Sequence, residues 1–205
     1  MRIHRVGRSA LLLEVADDGQ VAALLRELTE RRREGLLGAV EEIVPAARTV
    51  LLDGVADRDA VLRQLATVRT DAAPPGTGPL VTVETVYDGA DLAEVAGLWG
   101  VTEVEAVRIH SGCEYLVAFC GFAPGFAYLT GLPEQYAVPR RSTPRTRVPA
   151  GSVALAGPYT GVYPGASPGG WQLIGRTGLP LWDPRREPAA LLAPGTRVRF
   201  SQVPA

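Results

Sequence analysis

Glycine and proline are spread unevenly along this chain, and their distribution constrains the fold more than any other sequence feature. Of 17 prolines 13 follow Cys120, and so do 12 of 23 glycines. Both residues interrupt helices and favour tight turns. The runs between them, 115–119, 147–156, 170–175, 179–182 and 196–203, are short and rich in β-formers. The second half is therefore predicted to form a closed or nearly closed antiparallel barrel.

The first half has a different pattern, in which strand and helix periodicities alternate. Val21, Leu24 and Leu28 recur at helical spacing, and so do Val61 and Leu65. The strand-like runs are 2–6, 10–15, 42–45, 49–52 and 80–87. From residue 10 onward the order is β-α-β-β-α-β, which predicts a ferredoxin-like unit.

The best candidate for a linker is 72–79, Ala-Ala-Pro-Pro-Gly-Thr-Gly-Pro, which has no periodicity. The predicted fold class is therefore α+β. A small ferredoxin-like α/β domain occupies 1–78, and a β-barrel domain occupies 79–205. After the linker, Asp91 with Glu94 and Thr102 with Glu105 have the spacing of a capping box, so two short helices are predicted there.

The charge balance excludes several classes of function. All 21 basic residues are arginine, against 22 acidic residues, so the formal net charge is -1 and nucleic acid is not expected as a partner. The lack of lysine excludes a Walker A or Schiff-base lysine.

No apolar run approaches the roughly 20 residues of a membrane span, and the first 15 residues lack a signal-peptide core. A cytoplasmic protein without a membrane partner is expected.

Metal binding is not predicted either. Cys113, Cys120 and the two histidines, His4 and His110, do not have the spacing of a zinc site. His110 lies at the end of the predicted helix opened by Thr102, where terminal carbonyls favour a protonated imidazole. It is a candidate general acid or base, and a helix cap or hydrogen-bonded core residue is the alternative.

Two glycine-containing loops are candidates for binding a small molecule. In 121–129 the residues Pro124, Gly125, Phe126 and Tyr128 form an aromatic turn that can present backbone N–H groups to a ligand. The alternative is a barrel corner whose aromatic rings fill the core. The second loop contains Gly169, Gly170, Trp171 and Gln172. Close approach of its backbone to a ligand and a tight hairpin both explain its glycines.

The strongest local charge signal is an acid-free segment. Between Gln135 and Trp182 there are five arginines and no Asp or Glu. Arg145 and Arg147 stand on a proline-framed loop, where their planar donor groups match a carboxylate, a phosphate or a nucleotide. A docking face for an acidic partner explains the same pattern.

Several of these segments together resemble the B-subunit family of 5-oxoprolinase, also called allophanate hydrolase subunit 1 or KipI-like. The resemblance is carried by Ile109-His110-Ser111, Tyr115-Leu116-Val117, Gly121 to Leu129, Pro139-Arg140-Arg141, Pro144 to Val153 and Ser167 to Thr177. It implies a small α/β domain and a cyclophilin-like barrel. It also implies a groove lined by His110, Arg145, Arg147 and Gln172, with the loops at Gly125 and Gly169-Gly170.

The resemblance further implies a non-autonomous enzyme component. In the family, the A, B and C subunits together open 5-oxoproline to glutamate at the expense of ATP, so ATP is the expected co-substrate and the A and C subunits of 5-oxoprolinase are the expected partners. Two alternatives stay open at the level of sequence. One is a KipI-like inhibitor of a sensor histidine kinase, and the other is a component that hydrolyses allophanate or a related urea derivative.

Overall fold

The computed structural model describes residues 1–70 and 78–205. The chain divides into two compact units, Met1–Pro75 and Gly76–Ala205. Residues 72–77 of the predicted linker lie outside the described residues, so the position of the linker within 72–79 stays a prediction.

The first unit is a four-stranded antiparallel sheet with two helices. Its elements are β1 (Arg2–Val6), β2 (Ala10–Glu14), α1 (Asp18–Arg33), β3 (Glu42–Pro45), β4 (Thr49–Asp53) and α2 (Arg58–Leu65). The strand order is β1-β2-β4-β3. The α1 helix begins where Asp17 accepts the Gln20 N–H at 2.8 Å, and α2 begins in the same way after Asp57. Leu24 and Leu28 of α1 lie in the core of this unit.

The structure does not confirm a ferredoxin-like domain. The predicted closing strand forms as β5 (Leu80–Thr85), but it pairs in parallel with the C-terminal strand, where Leu80 lies opposite Arg197. The first unit therefore has the order β-β-α-β-β-α. The strand was predicted correctly and its partner was not, because pairing depends on long-range packing that a local pattern does not encode.

The second unit is built around a seven-stranded sheet. Its remaining elements are α3 (Leu92–Trp99), α4 (Glu103–Gly112), β6 (Glu114–Cys120), β7 (Ala127–Thr130), a short 3-10 helix (Glu134–Tyr136), β8 (Arg145–Val148), β9 (Ser152–Ala156), β10 (Tyr159–Val162), β11 (Ser167–Gly169), β12 (Gln172–Arg176) and β13 (Arg197–Gln202). The sheet order is β12-β9-β10-β7-β6-β13-β5, and β11 with β8 forms a separate ribbon.

The two edges of this sheet meet, so the barrel is nearly closed. Val86, directly after β5, and Arg176, at the end of β12, exchange backbone hydrogen bonds of 2.9 and 2.8 Å. The closed shape agrees with the prediction. The strictly antiparallel pairing does not, because β5 runs parallel to β13.

Side chains on the two faces of the barrel sheet form separate cores, which decides where each candidate residue lies. Leu155 and Val162 belong to an inner core shared with α3 and α4. Ala154 and Leu173 belong to an outer cluster with Phe126, Tyr163 and Trp171. Successive residues of a strand point to opposite faces, so Gln172, which is paired with Leu155, faces the inner core.

Two strand predictions in the barrel need correction. The predicted run 147–156 is divided by a turn after β8, because Pro149 and Gly151 (φ 79°) interrupt it. The predicted strand 179–182 is absent from the described structure, in which Trp182 makes only an isolated bridge with Ala190.

None of the helices in the described residues is both long and apolar enough to cross a membrane.

Candidate functional site

The buried carboxylate of Asp91, at the start of α3, accepts hydrogen bonds from several polar groups around it. The Asp91 side chain accepts two hydrogen bonds from Arg145, Nη1 to Oδ2 at 2.8 Å and Nη2 to Oδ1 at 2.7 Å. Arg141 Nη1 donates to Oδ1 at 2.6 Å, and the Leu173 N–H donates to Oδ2 at 2.7 Å. One carboxylate therefore ties α3 to β8, to β12 and to the segment that precedes β8.

The electrostatics of this site keep Asp91 ionised. Burial by itself raises the pKa of Asp91. Hydrogen bonds from Arg145 and from the Leu173 N–H, with the charges of Arg145 and Arg141, outweigh burial, and the net pKa is lowered. The same bonds raise the pKa of Arg145. One buried carboxylate is thus held in ion pairs with two guanidinium groups.

Gln172 joins the same cluster from β12. Its Nε2 donates to Glu94 Oε1 at 3.3 Å and to the Pro139 carbonyl at 3.4 Å, while its Oε1 is buried and has no partner among the described residues. Glu94 Oε2 also lies 3.7 Å from Arg141 Nη1. The Asp91 cluster is defined here as Asp91, Glu94, Arg141, Arg145 and Gln172.

The local excess of positive charge predicted for the acid-free segment is reduced, but not removed, in the folded chain. Asp91 neutralises part of the charge of Arg141 and Arg145, and Asp88 pairs with Arg176 at 2.9 Å. Both acids lie before the segment, so inspection of the segment alone missed them. Arg140 and Arg147 are exposed, and no carboxylate in 1–70 or 78–205 pairs with them.

His110 is a neutral core residue and not part of the Asp91 cluster. Its Nδ1 lies 2.8 Å from the Tyr87 hydroxyl and its Nε2 3.5 Å from Thr160 Oγ1, and the imidazole packs against Phe200 at 4.6 Å between ring centroids. Burial lowers the pKa of His110 to about 3. The expectation that helix carbonyls favour the protonated form was wrong, because desolvation dominates over the helix terminus.

This burial makes the stability of the barrel unit depend on pH. Below pH roughly 6.5, the pKa of an unfolded-state histidine, His110 is protonated in the unfolded chain but stays neutral in the folded one. The free energy of unfolding is therefore greatest above that pH and falls as the pH decreases. We expect a loss of about 2 kcal/mol between pH 7 and pH 5. Urea unfolding followed by tryptophan fluorescence measures it, since all three tryptophans lie after residue 78.

The matched variants for this measurement are His110→Gln and His4→Gln. His4 is the other histidine and is exposed beside Glu14. The pH dependence is expected to disappear in His110→Gln and to persist in His4→Gln. An unchanged pH dependence in His110→Gln would contradict the buried neutral imidazole.

The aromatic turn 121–126 is a packed corner of the barrel. The N–H groups of Gly121 and Phe126 donate to carbonyls within the turn at 3.2 and 3.0 Å, so they are not free to bind a ligand. Phe126 is buried against Trp171 and Tyr163. Gly125 has φ 81°, and a Cβ there would lie 2.9 Å from the Cβ of Trp182.

The other predicted residues of the two loops, apart from Pro124, also pack within the protein. Tyr128 stacks on Phe119 at 4.4 Å, Trp171 is buried, and Pro124 is exposed. A side chain at Gly169 would overlap the Tyr163 hydroxyl, so that glycine allows close packing within the protein. Gly170 contributes its carbonyl to the Arg141 N–H at 2.8 Å. Of the predicted site residues, Arg145 and Gln172 are therefore brought together, with Gly170 beside them.

Asp91, Glu94 and Arg141 belong to the Asp91 cluster but were not predicted as site residues, and Asp91 is the one that joins the others. Its spacing to Glu94 was interpreted as a capping box, but its side chain makes no cap hydrogen bond to α3. The equivalent prediction for Thr102 and Glu105 is confirmed, since each accepts from the other's backbone N–H at 3.2 and 2.9 Å. A local motif cannot show that arginines 50 and 54 residues later compete for the carboxylate.

Within the two described ranges, no three His, Cys, Asp or Glu side chains form a group that could hold a metal ion.

Comparison with known proteins defines the class of this fold. The family described as carboxyltransferase domain, subdomain C and D matches residues 1–192. The crystal structure of urea amidolyase from K. lactis superposes with a TM-score of 0.75 over 98% of this chain and 15% of that one, at 18% identity, which shows a common fold. The molecule is a carboxyltransferase-type domain.

More similar proteins identify the family within that class. A protein named as the B subunit of 5-oxoprolinase, from Escherichia coli O157:H7, is 42% identical over 97% of this chain and 94% of its own length. The crystal structure of TTHA0988 is 32% identical, with a TM-score of 0.80, and covers 96% of this chain; the chain spans only 40% of that protein. The chain belongs to the B-subunit family of 5-oxoprolinase.

Proposed function

We propose that this chain is the B subunit of a cytoplasmic, ATP-dependent 5-oxoprolinase complex that hydrolyses 5-oxoproline to glutamate together with the A and C subunits. The observation that carries the proposal is the 42% identity, over nearly the full length of both chains, with the Escherichia coli protein of that name. The Asp91 cluster supports it because guanidinium groups bind carboxylates and phosphoryl groups, and both occur in this reaction.

The chemistry explains why ATP is required. The amide of a lactam is a poor electrophile, and transfer of the γ-phosphoryl group of ATP to the amide oxygen activates its carbon and releases ADP. Water then adds to that carbon, and cleavage of the C–N bond opens the ring to γ-glutamyl phosphate. A second water hydrolyses this acyl phosphate to glutamate and phosphate. Arginine side chains serve such a reaction by holding the substrate carboxylate or stabilising charge on the transferred group.

The composition of the Asp91 cluster supports a protein that depends on its partners. The cluster supplies two guanidinium groups, one amide and two carboxylates, but none of its members is a Ser, Thr, Cys or His nucleophile. We infer that its contribution is binding and charge stabilisation, and that a separate chain provides the remaining catalytic groups.

The proposal is tested by 5-oxoproline-dependent release of ADP in a reconstitution. This chain alone, the two partner proteins without it and all three together are compared, each with a control that lacks 5-oxoproline. We expect substrate-dependent ADP release only in the complete mixture. Full activity of the two partners without this chain, or an inactive mixture whose assembly is shown by gel filtration, would refute it.

A further inference from the structure

We propose that Asp91 is a positioning residue that fixes Arg145 so that the Nε–Nη2 edge of its guanidinium group receives the carboxylate or phosphoryl group of a ligand. Which of the two it receives rests on the proposed function. Whether the edge binds an oxyanion at all is independent of that function, because binding can be measured on this chain without turnover.

Asp91 already occupies one edge of the Arg145 guanidinium group. A guanidinium group has two edges that can each donate a parallel pair of hydrogen bonds, the end formed by Nη1 and Nη2 and the side formed by Nε and Nη2. Asp91 takes the end edge with both of its oxygens, at 2.8 and 2.7 Å. The side edge keeps the Nε–H and one Nη2–H.

The Nε of Arg145 on this side edge is unoccupied in the described residues. The Arg145 side chain is 24% exposed, and its Nε has no acceptor within residues 1–70 and 78–205 and is not buried. Arg141 differs, because its Nε is buried and unpaired. Of the two arginines held by Asp91, Arg145 is the one whose Nε is neither buried nor hydrogen-bonded within the described residues.

The Asp91 side chain binds these groups and does not cap its own helix. The N-cap side chains of α1, α2 and α4 all accept a hydrogen bond from their own helices, whereas the Asp91 side chain accepts none from α3. Its oxygens bind Arg145, Arg141 and the Leu173 N–H. The carboxylate thus holds a guanidinium group rigidly, which lowers the entropy lost when a ligand binds.

A second positive charge lies along the same strand. Arg147 is two residues from Arg145 in β8, within the stretch where the register with β11 shifts, so the two charges are close along the strand. Arg147 is exposed and has no ion-pair partner in the described residues. It adds positive potential for an incoming anion without fixing its orientation.

The test is a titration of the 15N-labelled full chain, observed through its arginine Nε–H resonances. The Arg145 signal is assigned as the one lost in Arg145→Gln, and the probes are sodium phosphate and sodium acetate at constant ionic strength. We expect a saturable shift of the Arg145 signal with at least one probe. A response to phosphate assigns a phosphoryl group, and a response to acetate assigns a carboxylate.

Two variants separate positioning from mere folding. Asp91→Asn is expected to weaken the apparent affinity by about tenfold, whereas Asp88→Asn, which frees the exposed Arg176, is expected to leave it unchanged. If Asp91→Asn does not fold, Arg145→Lys is used in its place. Because this variant lacks the Arg145 Nε–H signal, binding of phosphate or acetate is followed through the backbone signals of neighbouring residues. That variant retains the charge but loses the paired donors, and we expect the same tenfold weakening.

Two results would overturn the inference. One is an Arg145 Nε–H signal that shifts with neither anion. The other is an affinity that is the same in wild type and in the folded Asp91→Asn or Arg145→Lys protein. Both are independent of ADP release, so a complex that fails to hydrolyse 5-oxoproline would refute the proposed function and leave this binding result standing.

Discussion

Replacing Arg145 by glutamine is expected to lower kcat/KM for 5-oxoproline in the reconstituted complex by about 100-fold. The substitution removes the paired donors of the side edge and also the ion pair with Asp91. ADP release at varied 5-oxoproline and varied ATP measures the effect. If Arg145 holds the 5-oxoproline carboxylate in both ground and transition states, KM for 5-oxoproline rises. If it stabilises the transferred phosphoryl group, kcat falls.

The matched control is Arg176→Gln, which also removes an arginine from an ion pair with an aspartate. Arg176 and Asp88 are both exposed, so this pair contributes little to stability. Its kcat/KM is expected to stay within about twofold of wild type. Urea unfolding of both variants shows whether Arg145→Gln has lost its fold as well as its donors. Wild-type activity in a folded Arg145→Gln complex would remove Arg145 from the site.

Substituting alanine for Gly89 is expected to destabilise the barrel unit by about 3 kcal/mol. A Cβ at this position would overlap the backbone of Leu173, Ile174 and Gly175 in β12, and no flexible side chain is there to move away. The chain between β5 and α3 would have to separate from β12, which also moves Asp91 relative to Leu173. Urea unfolding followed by tryptophan fluorescence is the measurement.

Gly97→Ala is the control for this prediction, because Gly97 lies inside α3 and a Cβ there meets no atom within 4 Å. Alanine at an open helix position is expected to stabilise by about 0.5–1 kcal/mol. Both substitutions replace glycine by alanine, but their expected effects on the free energy of unfolding have opposite signs. Equal effects would show that the close approach of Gly89 to β12 does not govern stability.

Local chemistry predicted the elements of this protein well. The helical spacing of Val21, Leu24 and Leu28 predicted α1, and the capping box of Thr102 and Glu105 predicted the start of α4. The glycine and proline distribution indicated the barrel. These signals work because caps, turns and periodic burial act within a few residues of each other.

The quoted motifs also identified the family, since identity over nearly the whole chain connects it to a protein named as the B subunit of 5-oxoprolinase. Family membership was therefore more accessible from the sequence than the arrangement of the site. Of the four residues expected to line one groove, the structure places Arg145 and Gln172 in the Asp91 cluster, whereas Asp91 itself had been assigned to a helix cap. The aromatic residues Phe126 and Trp171 were predicted in a groove or a core, and the structure places them in the core.

The sequence alone indicated the helices, the strands of the first unit and several of the barrel strands, together with the change of architecture along the chain and the family. Tertiary structure decided the rest: β5 closes the barrel, Asp91 binds Arg145 instead of capping α3, and His110 is neutral. The physical reason is the distance along the chain between the residues that interact. Backbone preferences are set by adjacent residues, whereas burial, ion pairing and the pKa values that follow from them depend on residues brought together from distant parts of the chain.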